Sequence, residues 1–288
     1  MVNTKCLICG SNELVALAGY EFHDLLKCKT CGFVFMRKIP TKEDLDEHYA
    51  KYPYNKDHFL SPVTIAAYNN LLSVFDQYRT TGNILDVGCG RGWLLDVAME
   101  KGWNAFGTEF SNIAIEKCRK KGIKMQAGVL RIDDYEPEQF DVIVLIEVIE
   151  HINYPIEELQ NIYKLLRKGG LLYITTPNFN SYLRYQLKAK YNIIEYPEHL
   201  SYYTKRTLYN VLHQTGFEKI KLEATGISLS RYQASTSDVS PVMDSTSSDE
   251  KLRELMHKNS TMKFIKKLAN KTLTVSGLGL TLKAYCIK

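Results

Sequence analysis

Two short runs, Cys6-Leu-Ile-Cys9-Gly and Cys28-Lys-Thr-Cys31-Gly, stand 18 residues apart near the start of this 288-residue chain. A CxxC turn sets two thiolates on one side of a cation, and the glycine after it permits a tight knuckle. Two knuckles complete a tetrahedron, so the spacing predicts zinc held by Cys6, Cys9, Cys28 and Cys31. Four protein ligands leave no open position, which makes such a metal structural and not catalytic. Four free core thiols or a redox pair would not require two knuckles of matching form.

Ile84-Leu-Asp-Val-Gly-Cys-Gly-Arg-Gly-Trp93 is a second chemical signal, an apolar strand entering a glycine-rich turn and then a helix. Glycines there let the backbone approach a ligand, and the helix N-terminus offers unpaired N–H groups. The spacing puts Trp93 where a dinucleotide fingerprint needs its third glycine, which disfavours NAD and FAD. Glu109 ends the next strand, seventeen residues after Gly92. Its carboxylate can accept hydrogen bonds from both hydroxyls of an adenosine ribose and would repel a 2′-phosphate. The competing reading is a solvated glutamate capping the helix that begins near Ser111. A third signal is His199 in Tyr196-Pro-Glu-His-Leu-Ser-Tyr-Tyr203, a polar and aromatic loop. A histidine there can take a proton at neutral pH, oriented by Glu198 or a nearby carboxylate.

The elements that must position these groups follow from periodicity. From Asn83 onwards, apolar runs of four to seven residues alternate with helical segments, the pattern of a doubly wound α/β domain with a parallel sheet covered on both faces. Ser111 is a candidate N-cap, and Gly122 and Gly169 are candidate helix stops. Thr204–Thr215 reads as a further helix ended by Gly216. Residues 39–80 read as a helical cover broken at Pro53, set between a 1–38 zinc module and an 81–234 core. Residues 235–288 read as a Ser/Thr/Asp-rich loop, a helix and a final strand in LTLKAYCIK. In Lys251–Asn270, apolar positions including Ile265 and Leu268 lie beside many lysines. A helix packed on its own domain is favoured there over one seated on a membrane or partner.

The formal charge is +5 with acidic and basic residues mixed along the chain, so no nucleic-acid footprint stands out. No secretory leader and no run of about twenty apolar residues occurs. Seven cysteines, with Cys89, Cys118 and Cys286 outside the CxxC runs, suggest metal and free thiols. The expectation is a soluble, cytoplasmic protein in a reducing compartment.

ILDVGCGRG, GTEFS, FDVIVLIEVIEHI and LRKGGLLYITTPN, in that order, resemble the class I S-adenosylmethionine-dependent methyltransferases over residues 80–225. The resemblance implies a Rossmann-like seven-stranded sheet whose last strand is antiparallel. It places Asp86, Gly88, Cys89, Gly90, Gly92, Glu109 and Phe110 around S-adenosylmethionine, with Glu147 bordering the methionine portion or the substrate. Val129 and Leu130 occupy the position where many relatives have an Asp near the adenine amino group; a backbone contact or Asp133 would substitute. The zinc-ribbon-like module and the YPEHLSYY loop resemble bacterial deoxysugar methyltransferases acting on nucleotide-linked sugars. That resemblance implies His199 as general base with Tyr196 beside it, and Tyr52 or Tyr54 as covering residues. His151 takes a capping or shaping role, while His23, His48, His58, His213 and His257 have no distinctive setting. The long C-terminal domain of the sugar C-methyltransferases has no counterpart up to residue 288, which makes O-methylation of a sugar hydroxyl at least as expected as C-methylation. The alternatives are an RNA methyltransferase, against which the chain has no Asn-Pro-Pro-Tyr type motif, and a cofactor-binding scaffold without turnover.

Overall fold

A computed structural model describes residues 1–50, 60–226 and 260–288. Tyr52, Tyr54, the 235–250 loop and residues 251–259 lie outside the described residues. The elements in chain order are β1 (Leu14–Ala16), β2 (Leu25–Cys28), β3 (Val34–Met36), α1 (Lys42–Ala50), α2 (Pro62–Phe75), β4 (Asn83–Val87), α3 (Trp93–Glu100), β5 (Asn104–Glu109) and α4 (Asn112–Lys120). There follow β6 (Lys124–Ala127), β7 (Phe140–Ile146), α5 (Pro155–Leu165), β8 (Leu166–Pro177), α6 (Tyr182–Leu187), β9 (Ser201–Tyr202), α7 (Lys205–Gln214), β10 (Lys219–Thr225), α8 (Ser260–Ser276) and β11 (Thr281–Ile287).

The main sheet has seven strands in the order β10-β11-β8-β7-β4-β5-β6. β8, β7, β4, β5 and β6 are parallel to their neighbours, and β11 runs antiparallel between β8 and β10. The final strand read from LTLKAYCIK is therefore present. Successive side chains along a strand point to opposite faces, and the central strands obey this. Ile84, Val142 and Val144 join one apolar cluster with Leu72, Phe75 and Leu95 under α2 and α3. Leu85, Ile143 and Leu145 join the other with Leu159, Ile162, Leu208 and Val211 from α5 and α7. Strands buried on both faces need apolar residues at every position, which is why these runs do not alternate with polar ones.

Ser111 caps α4, its Oγ accepting from the Ala114 N–H, and Thr204 caps α7 in a reciprocal box with Thr207. Gly169 is not a helix stop. α5 ends at Leu165, and β8 already runs through Gly169. The cause lies at the base of the sheet, where the Arg167 Nε donates to the Asp141 Oδ1 at 2.5 Å and its Nη2 donates to the Tyr78 carbonyl. Leu166 thereby pairs with Phe140 of β7 instead of extending the helix.

A second sheet, β1-β2-β3-β9, ends β2 on Cys28, with Cys6 and Cys9 before β1 and Cys31 between β2 and β3. Its fourth strand comes from residues 201–202 of the larger domain, with Val34 opposite Tyr202 and Phe35 opposite Ser201. The Met36 N–H extends the pairing to the Leu200 carbonyl at 2.9 Å. Phe33, Phe35, Cys6 and Cys28 belong to the same apolar cluster as Tyr203, Leu208 and Val211, so residues 1–38 share a core with the large domain. No helix among the described residues is long and apolar enough to cross a membrane.

Candidate active site

The glycine loop leaves β4 at its carboxyl end. Gly88, Gly90 and Gly92 all have positive φ, at 70°, 53° and 70°. A side chain at Gly88 would strike Val148 at 2.8 Å, and one at Gly92 would strike Ile123 and Cys118 at 2.8 and 2.9 Å. At Gly90 it would meet open space, which leaves that backbone approachable from outside. Thr108 anchors the loop, its Oγ1 accepting from the Gly88 N–H and its carbonyl from the Cys89 N–H. The Cys118 thiol lies beneath, 3.6 Å from the Gly90 carbonyl.

Glu109 ends β5 and is buried. Its Oε2 accepts from the Gly90 N–H at 2.9 Å; its Oε1 accepts from Phe110 N–H at 2.8 Å and Ser111 N–H at 2.9 Å. Glu109 is thus a buried cap and not a solvated one. It orders the backbone entering α4 and also faces the glycine loop. Oε1 is filled by its two N–H donors, and Oε2 keeps a second lone pair for a hydroxyl donor. Beside it, Phe110 and Val129 are exposed, whereas Leu130 is buried in the core. Two outward apolar side chains next to a carboxylate suit a nucleoside, with ring and ribose contacts side by side. Of the pair expected near the adenine, Val129 is exposed and Leu130 is packed in the core.

Asp86 is buried at the end of β4. Burial, with Cys118 and Glu109 adding repulsion, pushes its carboxyl well above the usual carboxylate range. Tyr68 of α2 lies near it, and burial together with the Asp86 charge pushes that phenol up to about 12. This donor set fits S-adenosylmethionine: an acceptor for a ribose hydroxyl, a buried carboxyl and free backbone room.

Past β7, Glu147 holds positive φ at 55°, and its N–H donates to the Thr175 carbonyl at 3.0 Å. Two residues later a short 3-10 turn, Ile149–His151, carries His151 to His199. The two rings meet edge to face with centroids 4.9 Å apart. His151 Nδ1 lies 2.7 Å from the Glu198 carbonyl, and His199 Nδ1 lies 2.7 Å from the Ile193 carbonyl. A carbonyl only accepts, so both Nδ1 atoms carry hydrogen, and a ring that is neutral then has its acceptor at Nε2. Burial lowers the His151 imidazole below the usual histidine range, against the opposing pull of the Glu198 charge. The buried Glu150 brings a carboxyl group to the pair, and the three ligand atoms lie within 4.8 Å of one another, close enough to hold one cation.

The orientation of His199 thus differs from the expected one. Glu198 turns its carbonyl to His151, and its carboxylate faces His48 of α1 at 3.8 Å. Tyr196 also points to α1: its hydroxyl donates to Asp44 Oδ2 at 2.9 Å, and Lys38 stands 4.6 Å from its ring centre. Asp44 and His48 are one helical turn apart and clasp the loop together, a spacing that marks one helix face but does not announce its partner. His48 therefore has a distinct setting that its sequence neighbourhood did not reveal, and the Ile193 carbonyl carries no sequence signal at all.

The cysteine knuckles are alike in geometry. The Gly10 N–H donates to the Cys6 carbonyl at 3.0 Å, and the Gly32 N–H to the Cys28 carbonyl at 2.9 Å. Cys6 and Cys31 sulfurs are 3.5 Å apart, and Cys9 and Cys28 sulfurs 3.6 Å. Four thiolates around zinc at about 2.3 Å would stand roughly 3.8 Å from one another, so the set fits a closed tetrahedral site. Burial opposes ionisation of Cys28, yet the Cys31 backbone N–H and the Cys9 thiol outweigh it and bring that thiol down to about 6. Burial pushes Cys31 up to about 11.

A profile of the methyltransferase-domain family matches residues 58–222. The ubiquinone biosynthesis O-methyltransferase of Methylococcus capsulatus is 30% identical over 140 residues, 44% of this chain and 59% of that protein. The Aeromonas salmonicida protein of the same name is 30% identical over 117 residues, 38% of this chain and 49% of that protein. The chain thus spans about half the length of these curated relatives. Among solved structures, a SAM-dependent methyltransferase from Archaeoglobus fulgidus aligns with a TM-score of 0.53 at 18% identity, over 86% of this chain and 100% of that one. Phosphoethanolamine N-methyltransferase 2 of Haemonchus contortus, in complex with S-adenosyl-L-methionine, aligns with a TM-score of 0.53 at 17% identity, over 94% of this chain and 60% of that one. At these identities the structural likeness is one of fold.

Proposed function

This chain is a member of the class I S-adenosylmethionine-dependent methyltransferases, and we propose that the acceptor it methylates is a hydroxyl oxygen of a small molecule. S-adenosylmethionine, when bound, supplies a methyl group on a sulfonium sulfur as the electrophile. Glu109 would accept from the ribose hydroxyls, the Gly88–Gly92 backbone would border the amino-acid end, and Phe110 and Val129 would flank the base.

The observation that carries the acceptor class is the pairing of His151 with His199. A neutral amine needs no strong base, whereas a hydroxyl must lose a proton as it attacks. His199 Nε2 is the atom placed to take that proton, because its Nδ1 is committed to Ile193. His151 sits edge-on to the same ring as a positioning partner, and burial helps keep it uncharged beside the developing imidazolium. Glu150 brings a buried carboxyl group to the same pair.

The finer identity of the hydroxyl is part of the proposal. The YPEHLSYY loop supports a sugar, including a nucleotide-linked one, while the relatives above are named for O-methylation in ubiquinone biosynthesis. Both acceptors present a hydroxyl to the same base. Zinc in the four-cysteine site belongs to the same reading, as a structural ion supported by the donor set.

The test is methyl transfer from labelled S-adenosylmethionine to a panel of nucleotide-linked sugars and dihydroxylated aromatics, comparing wild type with His199→Ala. Labelled O-methyl product and a loss of about a hundredfold in the variant, with unchanged cofactor affinity, is the expected result. Methylation of an amine, or a fully active variant, would refute the assignment.

A further inference from the structure

α8 is amphipathic with its sides reversed. The residues that meet the rest of the protein are Ala269, Asn270, Leu273 and Thr274, all half-buried. Asn270 Oδ1 accepts from the Gly226 N–H at 3.1 Å, Thr274 Oγ1 donates to the Ala224 carbonyl at 3.1 Å, and Lys205 Nζ donates to the Thr274 carbonyl at 3.0 Å. The seating is mostly small and polar. At about 100° per residue, Phe264, Leu268 and Val275 fall within one narrow sector on the opposite side. They are 67%, 57% and 82% exposed, and Ile265 beside them is 51% exposed. A helix packed on a globular body turns its large apolar side chains to the core. This one turns them outward, contrary to the expectation that the stripe packs on its own domain.

The charge of the helix identifies what covers that stripe. Ser260–Ser276 contains four lysines and no acidic residue. Lys267 and Lys271 flank one edge of the apolar sector, where long side chains can lie along apolar surface and hold their ammonium groups in a polar layer. A second copy of the same helix would set lysine rows against each other. An anionic lipid surface complements both halves, taking the apolar side chains below the headgroups and the lysines among them.

We propose that α8 seats this protein on an anionic membrane surface through Phe264, Leu268 and Val275, with Lys267 and Lys271 contacting the headgroups. The helix lies in the interface and does not span it. Its carboxyl end adjoins the site. Asn178, which follows β8, donates to the Gly277 carbonyl at 2.9 Å, and the Tyr182 N–H donates to the Leu278 carbonyl at 3.1 Å. The carboxyl end of α8 therefore lies at the same end of the sheet as the glycine loop and Glu109, where an amphiphilic acceptor could enter from the bilayer. The binding itself does not depend on which acceptor is methylated.

The experiment is flotation of the full chain with vesicles of phosphatidylcholine alone and of phosphatidylcholine mixed with phosphatidylglycerol, at low and high salt. Binding to the mixed vesicles at low salt, weakened by high salt, is expected. Lys267→Gln and Lys271→Gln should each weaken it about fivefold, and Phe264→Ser and Leu268→Ser each about tenfold or more. Their outward position predicts unchanged melting temperatures, and the lysine variants remain an independent test should a serine variant misfold. No flotation with either vesicle would overturn the proposal, as would binding that survives Phe264→Ser with Leu268→Ser. A concentration-dependent dimer broken by the serine variants, without flotation, would assign the stripe to a second copy instead.

Discussion

Cys28→Ser should disable turnover at a distance from the cofactor loop. Cys28 is fully buried in β2, and its thiol is one of the four sulfurs that close the knuckles. Without a closed site β1, β2 and β3 keep only the core they share with the large domain and the pairing with β9, because a segment this small cannot bury enough apolar surface by itself. Their loss would uncover Phe33, Phe35 and Tyr203, each fully buried, with Phe33 and Tyr203 rings 5.2 Å apart. Burial of the Phe33 and Tyr203 rings alone contributes about 5 kcal/mol at 1.5–3 kcal/mol each, an upper estimate because unfolded chains already hide some surface. For a domain of this size that corresponds to a melting temperature lower by about 10–20 °C. β9 would lose its partner at the same time, and the Met36 N–H would release the Leu200 carbonyl, one residue from His199. Differential scanning fluorimetry, isothermal titration with S-adenosylmethionine and turnover, each with and without a zinc chelator, check the argument. Turnover and melting temperature should fall together in the variant and in chelated wild type. Cofactor affinity measured below the transition should hold, because Gly88–Gly92 and Glu109 stand on β4 and β5. A variant melting within about 2 °C of wild type with full turnover would refute the coupling.

Two further perturbations test other parts of the structure. Glu109→Ala removes the acceptor facing both the glycine loop and the proposed ribose site, and charged hydrogen bonds of this kind contribute about 1.5–3 kcal/mol each. Cofactor affinity should drop by tenfold to a hundredfold or more with the fold retained; an unchanged titration isotherm would remove Glu109 from the site. Asp141→Asn breaks the buried pair with Arg167 and should cost about 3 kcal/mol at neutral pH. Burial raises the Asp141 carboxyl, but the Thr80 N–H and Arg167 outweigh it and hold the group below its ordinary value. Its contribution is therefore complete above the unfolded value of about 3.9 and fades as pH falls through the lower folded value. Wild-type and variant melting temperatures should converge in acid, and a gap that stays constant from neutral to acidic pH would contradict the assignment.

Features encoded by neighbouring residues were readable in the chain before any coordinates. The ILDVGCGRG loop, Glu109 at its strand end, the Ser111 cap, the two knuckles and the alternating last strand all depend on contacts within a few residues or on periodicity. Backbone sterics and the 2.0 and 3.6 periods act locally, so residue order suffices. Gly169 shows where this logic stops. A glycine after an apolar helical run reads as a stop, yet the side-chain bond from Arg167 to Asp141, 26 residues away, ends α5 earlier.

The contents of the proposed acceptor site were decided by tertiary contact. His151 meets His199 across 48 positions, Tyr196 is held by Asp44 across 152, and the cysteine sheet borrows β9 from more than 160 residues downstream. None of these pairs shares a local pattern, because each partner satisfies its own element before the two meet. The sidedness of α8 is of the same kind. Its sequence specifies an apolar stripe and a row of lysines, but only the docking of Asn270 and Thr274 against residues 224–226 determines that the stripe faces outward. Local sequence thus set the elements, the cofactor loop and the metal knuckles; the packing of the sheet's carboxyl end chose which histidine nitrogens carry hydrogen and which surface of the last helix remains exposed.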